Sequence, residues 1–249
     1  MILYFTGTNN SKYAAELLGD YLQDEVVRII DLIKQKKFTL NSEKPYIIVA
    51  PIYCYRFPIL VEDYLKDCTF LGNQEVYCIG TMQSQSGKSG KVLKNIFETK
   101  GMNYKGFTGI RMPNNYYIMS RKKAPHPFAN QITMDKAELM LALTAEDIEN
   151  HKKIRKDDFS PFPYLCSYVI NPLFVKYQPK FKVNDNCIQC GKCVNECPVE
   201  NISMIDGKIT FHNQCIQCLR CIHQCPAKAI NLKKTEGIER YTCIDYKKK

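Results

Sequence analysis

The stretch ILYFTGTNNSKYAAELL, residues 2–18, passes from an apolar run through a polar loop into a helical segment. The run 2–6 predicts a short strand, and Asn10 or Ser11 can cap a helix that continues to about Gln23. A loop between a parallel strand and a helix presents backbone N–H groups and a helix N-terminus to an anion. The stretch therefore predicts the first strand–loop–helix unit of an α/β fold, with an anion site in its loop.

The alternation of strand-like and helix-like segments continues through the first half of the chain. Further strands are predicted at residues 25–32, 46–53, 74–80 and 104–112. Helical patterns follow at 89–101 and 133–156. Strands separated by helices favour a parallel sheet with helices on both faces. We therefore expect an α/β domain built on a doubly wound, five-stranded parallel sheet.

The composition divides the chain into three parts. Residues 1–156 form the predicted α/β domain, and the aromatic, proline-rich segment 157–180 is too apolar for a disordered linker and predicts a packed connector. Residues 181–249 form a smaller α+β domain with a C-terminal tail. Within it, residues 202–211 form two short β runs around an Asp206-Gly207 pair, which predicts a hairpin.

This second domain contains an internal repeat of cysteines. CIQCGKCVNECP begins at residue 187 and CIQCLRCIHQCP at residue 215, so the spacing C-x2-C-x2-C-x3-C-P occurs twice. In this spacing three cysteines surround one [4Fe-4S] cube, and the fourth is carried away to ligate the other cube. The first predicted cluster has the ligands Cys187, Cys190, Cys193 and Cys225. The second has the ligands Cys215, Cys218, Cys221 and Cys197.

Zinc and disulfides are the competing explanations for these cysteines. Cys-x2-Cys pairs also suit zinc, but zinc fingers separate two pairs by a longer insert, whereas here four cysteines lie within eleven residues. Disulfide scaffolds belong to short secreted chains, and eight of the thirteen cysteines lie between Cys187 and Cys225. Iron–sulfur ligation is therefore favoured, and this section resembles a bacterial-type two-[4Fe-4S] ferredoxin.

The loop after the first strand is similar to the flavodoxin phosphate loop T/S-x-T-G-x-T. Hydroxyls stand at positions 6, 8 and 11, but Asn9 replaces the glycine of the pattern. Asparagine tolerates a positive φ better than most residues, so the turn can still form. A plain helix N-cap is the alternative role of this loop. The predicted phosphate-binding residues are Thr6, Gly7, Thr8, Asn9, Asn10 and Ser11.

Two further loops follow predicted strands at the edge where doubly wound sheets bind ligands. In APIYCYRFP, after the third strand, the resemblance to flavodoxins implies that Tyr53 stacks on the flavin ring, beside Pro51 and Ile52. In GTMQSQSG, after the fourth strand, it implies groups that bind the pyrimidine edge. The residues predicted there are Thr81, Met82, Gln83, Ser84 and Gly87.

Over nearly all of its 249 residues the chain resembles the fused flavodoxin–ferredoxin electron-transfer proteins. The shared segments are YFTGTNNS, PIYCYRFP, MPNNY (112–116) and KFKVNDNCIQC. The resemblance implies an electron carrier with FMN and two [4Fe-4S] clusters, and redox proteins as its partners. MPNNY places Asn114, Asn115 and Tyr116 near the flavin or at the domain seam, or else forms a plain turn.

The formal charge of +10 first suggests nucleic acid as a partner. Each oxidised cluster with its four thiolates would bring about −2, and a flavin phosphate about −2, which leaves roughly +4. We therefore expect no nucleic-acid partner. Basic runs remain at 121–123, 151–156 and 247–249, either as solvated surface or as a docking surface for an acidic redox protein. With neither a signal peptide nor a membrane span predicted, we expect a cytoplasmic protein.

Three other functions stay open at this level. The same assembly would also serve as a ferredoxin-dependent flavin reductase of a small molecule, such as a quinone or nitro compound. If Asn9 prevents flavin binding, the first domain is only a docking module for the ferredoxin. A redox sensor that binds nucleic acid would require salt-dependent binding.

Overall fold

The computed structural model describes residues 1–116, 126–154, 161–232, 235 and 237–243. The strands are β1 (Ile2–Tyr4), β2 (Val26–Arg28), β3 (Thr39–Ser42), β4 (Tyr46–Pro51), β5 (Thr69–Gly72), β6 (Glu75–Met82), β7 (Asn103–Arg111), β8 (Phe181–Val183), β9 (Ile202–Ile205), β10 (Lys208–Phe211) and β11 (Ile230–Leu232). The helices are α1 (Asn10–Leu22), α2 (Ile29–Lys34), α3 (Ile59–Asp67), α4 (Ser89–Thr99), α5 (Pro127–Glu149), α6 (Pro161–Lys176), α7 (Lys192–Asn195) and α8 (Arg220–His223).

The predicted five-stranded parallel sheet is confirmed. Its strands lie in the order β2-β1-β4-β6-β7, and each neighbouring pair is parallel. Counted along the sheet strands alone, this is the order 2-1-3-4-5 of flavodoxin-like folds. Successive strands are added on opposite sides of β1, since β2 lies on one side of it and β4 on the other. The loops that follow β1 and β4 therefore lie side by side at the carboxyl edge.

Several predicted elements differ from the structure between the main strands. The predicted strand 25–32 ends at Arg28 and continues as α2, because a short apolar run does not by itself distinguish a strand from a buried helix. Strands β3 and β5, which form a separate two-stranded parallel sheet, and helix α3 were not predicted. The helix predicted at 133–156 begins earlier, at Pro127, where proline suits the first helical position.

The second domain shares the core of the first. On one face of the sheet, Tyr4 and Leu18 belong to the same apolar cluster as Leu219, Ile222 and Ile230. The cysteine-rich section is therefore packed against the sheet. The boundaries 1–156, 157–180 and 181–249 stay a prediction.

The connector and the predicted hairpin both have regular structure. The segment predicted as a packed connector contains the helix α6. Strands β9 and β10 pair antiparallel, and Asp206 and Gly207 both have positive φ, as a two-residue primed turn requires. The basic runs 121–123 and 247–249, and residues 155–156 of the third run, lie outside the described residues. Within the described ranges, none of the helices has the length and apolar character to span a membrane.

Candidate functional site

A cavity of about 370 Å³ lies at the carboxyl edge of the sheet. Small-molecule sites typically have volumes of roughly 300–1,000 Å³. Twelve of the predicted flavin residues line it: Thr6, Gly7, Thr8, Asn10, Ser11, Pro51, Ile52, Tyr53, Thr81, Met82, Gln83 and Ser84. Asn9 and Gly87 are outside this lining. Gly87 has φ +60° and packs closely against Tyr55, because a Cβ on Gly87 would lie 2.4 Å from the Cβ of Tyr55.

The loop before α1 leaves the start of the helix open. Asn9 is the N-cap residue and has a left-handed conformation, which asparagine tolerates, with φ 72° and ψ 0°. Among the described residues, no side chain caps this end of the helix. The backbone N–H groups of the first turn, which starts at Asn10, are therefore available to an anion. This geometry favours the phosphate-loop interpretation over a plain N-cap.

Hydroxyl groups of this loop form hydrogen bonds that still leave protons to donate. Ser11 Oγ lies 2.7 Å from Thr81 Oγ1, and the Asn115 amide donates to Thr8 Oγ1. A hydroxyl has one proton and two lone pairs, so Thr8 can accept from Asn115 and donate elsewhere. Ser11 and Thr81 have two hydroxyl protons, of which one lies between their oxygens, so the other can be donated to a ligand. The cavity thus fits a group rich in acceptor oxygens.

The loop after β4 makes a tight turn beside the cavity. Tyr53 and Arg56 exchange backbone hydrogen bonds of 2.8 and 3.3 Å. The two residues between them, Cys54 and Tyr55, have φ of 48° and 69°. Such left-handed conformations cost about 1–3 kcal/mol each for residues other than glycine. Asn171 of α6 stabilises the turn by donating to the Cys54 carbonyl at 3.1 Å.

A buried ion pair anchors the end of this turn. The fully buried carboxylate of Glu62 accepts from Arg56, with Nε 3.1 Å from Oε1. Burial raises the pKa of Glu62, and the guanidinium of Arg56 opposes that rise. Replacing Arg56 with alanine is expected to destabilise the protein by about 3 kcal/mol, because a buried carboxylate loses its partner. In a chain of this size, the thermal midpoint should fall by roughly 6–12 °C.

The pH dependence of that loss gives a further check. A carboxyl with a raised pKa holds its proton more tightly in the folded than in the unfolded chain, so stability falls as pH rises through that pKa. Losing Arg56 raises the pKa of Glu62 further, so the deficit of Arg56→Ala should be largest at neutral pH and should shrink toward acid pH. Lys94→Ala, which removes an exposed pair with Glu98, is the control and should change stability by less than about 0.5 kcal/mol. An equal effect of both variants would contradict the buried pair.

The cysteines of the repeat surround two cavities. One is lined by Cys187, Cys190, Cys193 and Cys225, together with Cys221. The other is lined by Cys197, Cys215, Cys218 and Cys221. The fold thus brings together each predicted ligand set, including the fourth cysteine from the other motif. All thirteen cysteines are free, and in the part of the chain that the structure describes, no three Cys, His, Asp or Glu side chains are placed to hold a single metal ion.

The two motifs share their backbone conformation. Gly191, before α7, has φ 70°, and Leu219, at the same position before α8, has φ 58°. A backbone N–H group lies close to the fourth sulfur of each motif. Asn201 N is 3.2 Å from Cys197 Sγ, and Ala229 N is 3.3 Å from Cys225 Sγ. Such contacts to sulfur tune cluster potentials.

The two cysteine-lined cavities differ in their exposure. Cys190 in the first is exposed, whereas the cysteines that line the second are all half-buried. Burial raises the pKa of Cys218 to about 12 and that of Cys215 to about 11. Bare thiolates are therefore disfavoured in the second cavity, and coordination to a cationic core would offset that cost.

The second cysteine motif is in direct contact with the larger cavity. Cys218 and Leu219 line both that cavity and the second cysteine-lined cavity. The backbones also touch, because a Cβ on Gly7 would lie only 2.3 Å from the Cys218 carbonyl oxygen. Arg220 lines both cysteine cavities and donates to the Thr6 carbonyl at 3.3 Å. Two features predicted from separate ends of the chain thus form one continuous site.

Hydrogen bonds across the domain seam hold the MPNNY segment in place. His223 Nδ1 accepts from the Tyr241 N–H at 3.1 Å, so the other ring nitrogen donates to the Asn115 carbonyl at 2.9 Å. The Tyr241 hydroxyl donates to Asn10 Oδ1 at 2.6 Å. Asn114, Asn115 and Tyr116 also line the large cavity, so this segment lies both at the cavity and at the seam.

Some lining residues were not predicted. Ile170 and Phe174 of α6, and Gln217 of the second cysteine motif, complete the wall of the large cavity. The only sequence signal for α6 was the apolar character of the connector. For Gln217 there was none, since a residue inside a cysteine motif is expected to serve the cluster.

Comparisons with known proteins find one family model and several solved structures to which the chain is similar. Residues 186–230 match the family model of the 4Fe-4S dicluster domain. No curated protein matches the chain. Among solved structures, it is similar to two-electron reduced flavodoxin from Megasphaera elsdenii, with 19% identity over 55% of this chain and 97% of that one and a TM-score of 0.34. A flavodoxin from the domain Archaea matches with 13% identity over 59% of this chain and 96% of that one, also with a TM-score of 0.34.

The strand order and the 4Fe-4S family match together define the class of protein. The N-terminal part has a flavodoxin-like fold, and the C-terminal part is a 4Fe-4S domain, consistent with a flavodoxin–ferredoxin fusion. These two modules support an electron-transfer role for the chain, and such a role implies redox partners.

Proposed function

We propose that the chain transfers electrons between an FMN in the 370 Å³ cavity and two [4Fe-4S] clusters in the cysteine-lined cavities. When bound, the flavin exchanges electrons singly or in pairs, and each cluster exchanges one. The observation that carries the proposal is the shared wall formed by Cys218 and Leu219. Cofactors on either side of this wall would lie close together.

The residues of the large cavity have separate roles in this proposal. The open N-terminus of α1 and the hydroxyls of Thr8 and Ser11 would hold the phosphate. Tyr53 would contact the flavin ring, and the polar groups of residues 81–84 would bind its pyrimidine edge. Burial raises the pKa of Tyr53 well above its usual value, so its phenol stays neutral at physiological pH.

The cavities also suggest an order for the cofactors. Residues of the second cysteine motif line the 370 Å³ cavity, whereas no residue of the first motif, 187–198, lines it. The first cysteine-lined cavity shares the lining residues Arg220 and Cys221 with the second. Because Cys190 is exposed, the first cavity is the one that a one-electron redox protein would reach. Arg220, which lines both cysteine cavities, donates to the Glu196 carboxylate, with its Nε 2.8 Å from Oε2, so an ion pair would lie between the two clusters.

Anaerobic purification, with iron, sulfide and extractable flavin counted per chain, tests the proposal. We expect about eight iron atoms and about one FMN. Iron without flavin would reduce the first domain to a docking module. Zinc in place of iron, or about four iron atoms, would contradict the two-cluster assignment.

Asn9 should decide how tightly the phosphate is held. Replacing Asn9 with valine puts a β-branched residue at φ 72° and is expected to weaken FMN binding about tenfold or more, because the loop must distort. Asn9→Gly should leave the affinity unchanged or increase it. The measurement is quenching of flavin fluorescence on titration of flavin-depleted protein.

A second left-handed asparagine provides the matched control. Asn213 has φ 58° in the loop before the second cysteine motif. Asn213→Val should cause similar backbone strain without changing the affinity for FMN. A comparable loss of FMN affinity in both variants would show that Asn9 acts through general stability and not through the phosphate loop.

A further inference from the structure

Helix α6 directs two polar side chains, Ser167 and Asn171, inward. Ser167 is 1% exposed and Asn171 is 7% exposed. The Asn171 amide donates to the carbonyls of Tyr53 and Cys54 at 3.3 and 3.1 Å. Just beyond the helix, Gln178 continues this pattern, since its side-chain oxygen accepts from the Cys215 N–H at 2.7 Å.

The opposite face of the same helix is apolar and exposed. Val169 is 62% exposed and Leu173 is 65% exposed, while Tyr168 and Tyr177 are more than half exposed. Their spacing places Val169, Leu173 and Tyr177 on one stripe, four residues apart. A helix at a water surface has the reverse arrangement, with its apolar stripe toward the core. Contiguous exposed apolar surface of this kind marks an interaction site.

The charged residues of α6 and of the segment that follows it, as far as Val183, are all lysines. Residues 161–183 contain three lysines, at positions 176, 180 and 182, and neither aspartate nor glutamate. Lys176 is exposed and lies on the outer face, three residues after Leu173. From the adjoining loop, Lys88 Nζ lies 3.6 Å from the centre of the Tyr168 ring. The apolar stripe is thus bordered by cations, which favours an anionic partner.

We infer that the outer face of α6 docks on the surface of an anionic lipid bilayer. Val169 and Leu173 would enter the boundary of the acyl region, and Tyr168 and Tyr177 would lie at headgroup level, where tyrosine is enriched. The long stem of Lys176 lets its ammonium group reach lipid phosphates while the stem stays on the apolar surface.

This docking would place the large cavity beside the bilayer, because Ile170 and Phe174 of the same helix line that cavity. This last consequence rests on the proposed function, whereas the membrane contact itself does not. Missing flavin or iron would count against the proposed function alone. Missing vesicle binding by fully loaded protein would count against the membrane contact alone.

Flotation of the purified holoprotein with vesicles tests the inference. Vesicles of phosphatidylcholine with about a quarter phosphatidylglycerol should carry the protein upward, and pure phosphatidylcholine should carry clearly less. The affinity of the double variant Val169→Glu/Leu173→Glu for the anionic vesicles should be lower by a factor of about ten or more. That of Lys176→Glu should be lower by a factor of about five. Neither Val169 nor Leu173 lines the flavin cavity, so the visible spectrum of the variant should match that of the unmodified protein.

Ile205→Glu is the matched control, since Ile205 is a similarly exposed apolar residue on β9, and it should float like the unmodified protein. Equal flotation of the control and the double variant would overturn the inference. So would absence of flotation with both vesicle types. A concentration-dependent dimer that forms without vesicle binding, and that the double variant dissociates, would assign the face to a second copy and also overturn it.

Discussion

Replacing Cys197 with serine is expected to remove the cluster of the second cysteine motif, although Cys197 belongs to the first. The reason is geometric, because Cys197 lines the cavity of Cys215, Cys218 and Cys221 and not that of Cys187. Iron content should fall from about eight atoms to about four per chain. The cluster that remains should have the reduced-state electron paramagnetic resonance spectrum of the Cys187 site.

Matched variants make this result specific. Cys215→Ser should leave the same spectrum as Cys197→Ser, and Cys225→Ser should leave the same spectrum as Cys187→Ser. Cys166→Ser is the control, since this half-buried cysteine lies outside both cavities, and it should retain all of the iron. If Cys197→Ser instead gave the spectrum of Cys187→Ser, the crossed ligand assignment would be wrong.

Gly7→Ala is expected to disturb both domains at once. The new methyl group would lie 2.3 Å from the Cys218 carbonyl oxygen and 2.7 Å from the Tyr53 hydroxyl. Because one of these atoms is backbone, the two loops must separate, at a cost of about 1–3 kcal/mol. We expect a lower thermal midpoint and FMN binding weakened about tenfold. The rate at which dithionite-reduced clusters pass electrons to the flavin should also fall, as followed by stopped-flow absorbance.

Gly90→Ala is the control for this substitution. Gly90 lies in α4, where the nearest atom to a new Cβ is the Phe107 side chain at 3.1 Å, and a helix favours alanine over glycine. Its effects on FMN affinity and electron transfer should be negligible. Unchanged flavin affinity and stability in Gly7→Ala would show that the phosphate loop and the second cysteine motif do not touch.

Local patterns predicted the local structure well. The Asp206-Gly207 pair predicted a hairpin because only a few residue types adopt positive φ at both turn positions, and the structure has that turn. Asn9 also has a positive φ, which is compatible with the expectation that the turn can form without glycine. Where a pattern suited two structures, the prediction was partly wrong. In the predicted strand 25–32, residues 26–28 form β2, but the apolar run continues as a helix after Arg28.

The sequence by itself determined the 4Fe-4S section, because ligand type and spacing within a dozen residues are enough to specify a cluster motif, and it predicts the phosphate loop in the same way. It also determined the parallel sheet, through the alternation of apolar runs with helices. Only the tertiary structure decided that Cys218 and Leu219 form the wall between two cavities, and that α6 directs Asn171 inward and Leu173 outward. Those facts depend on contacts between segments far apart in the chain, and no local spacing encodes which distant surfaces meet.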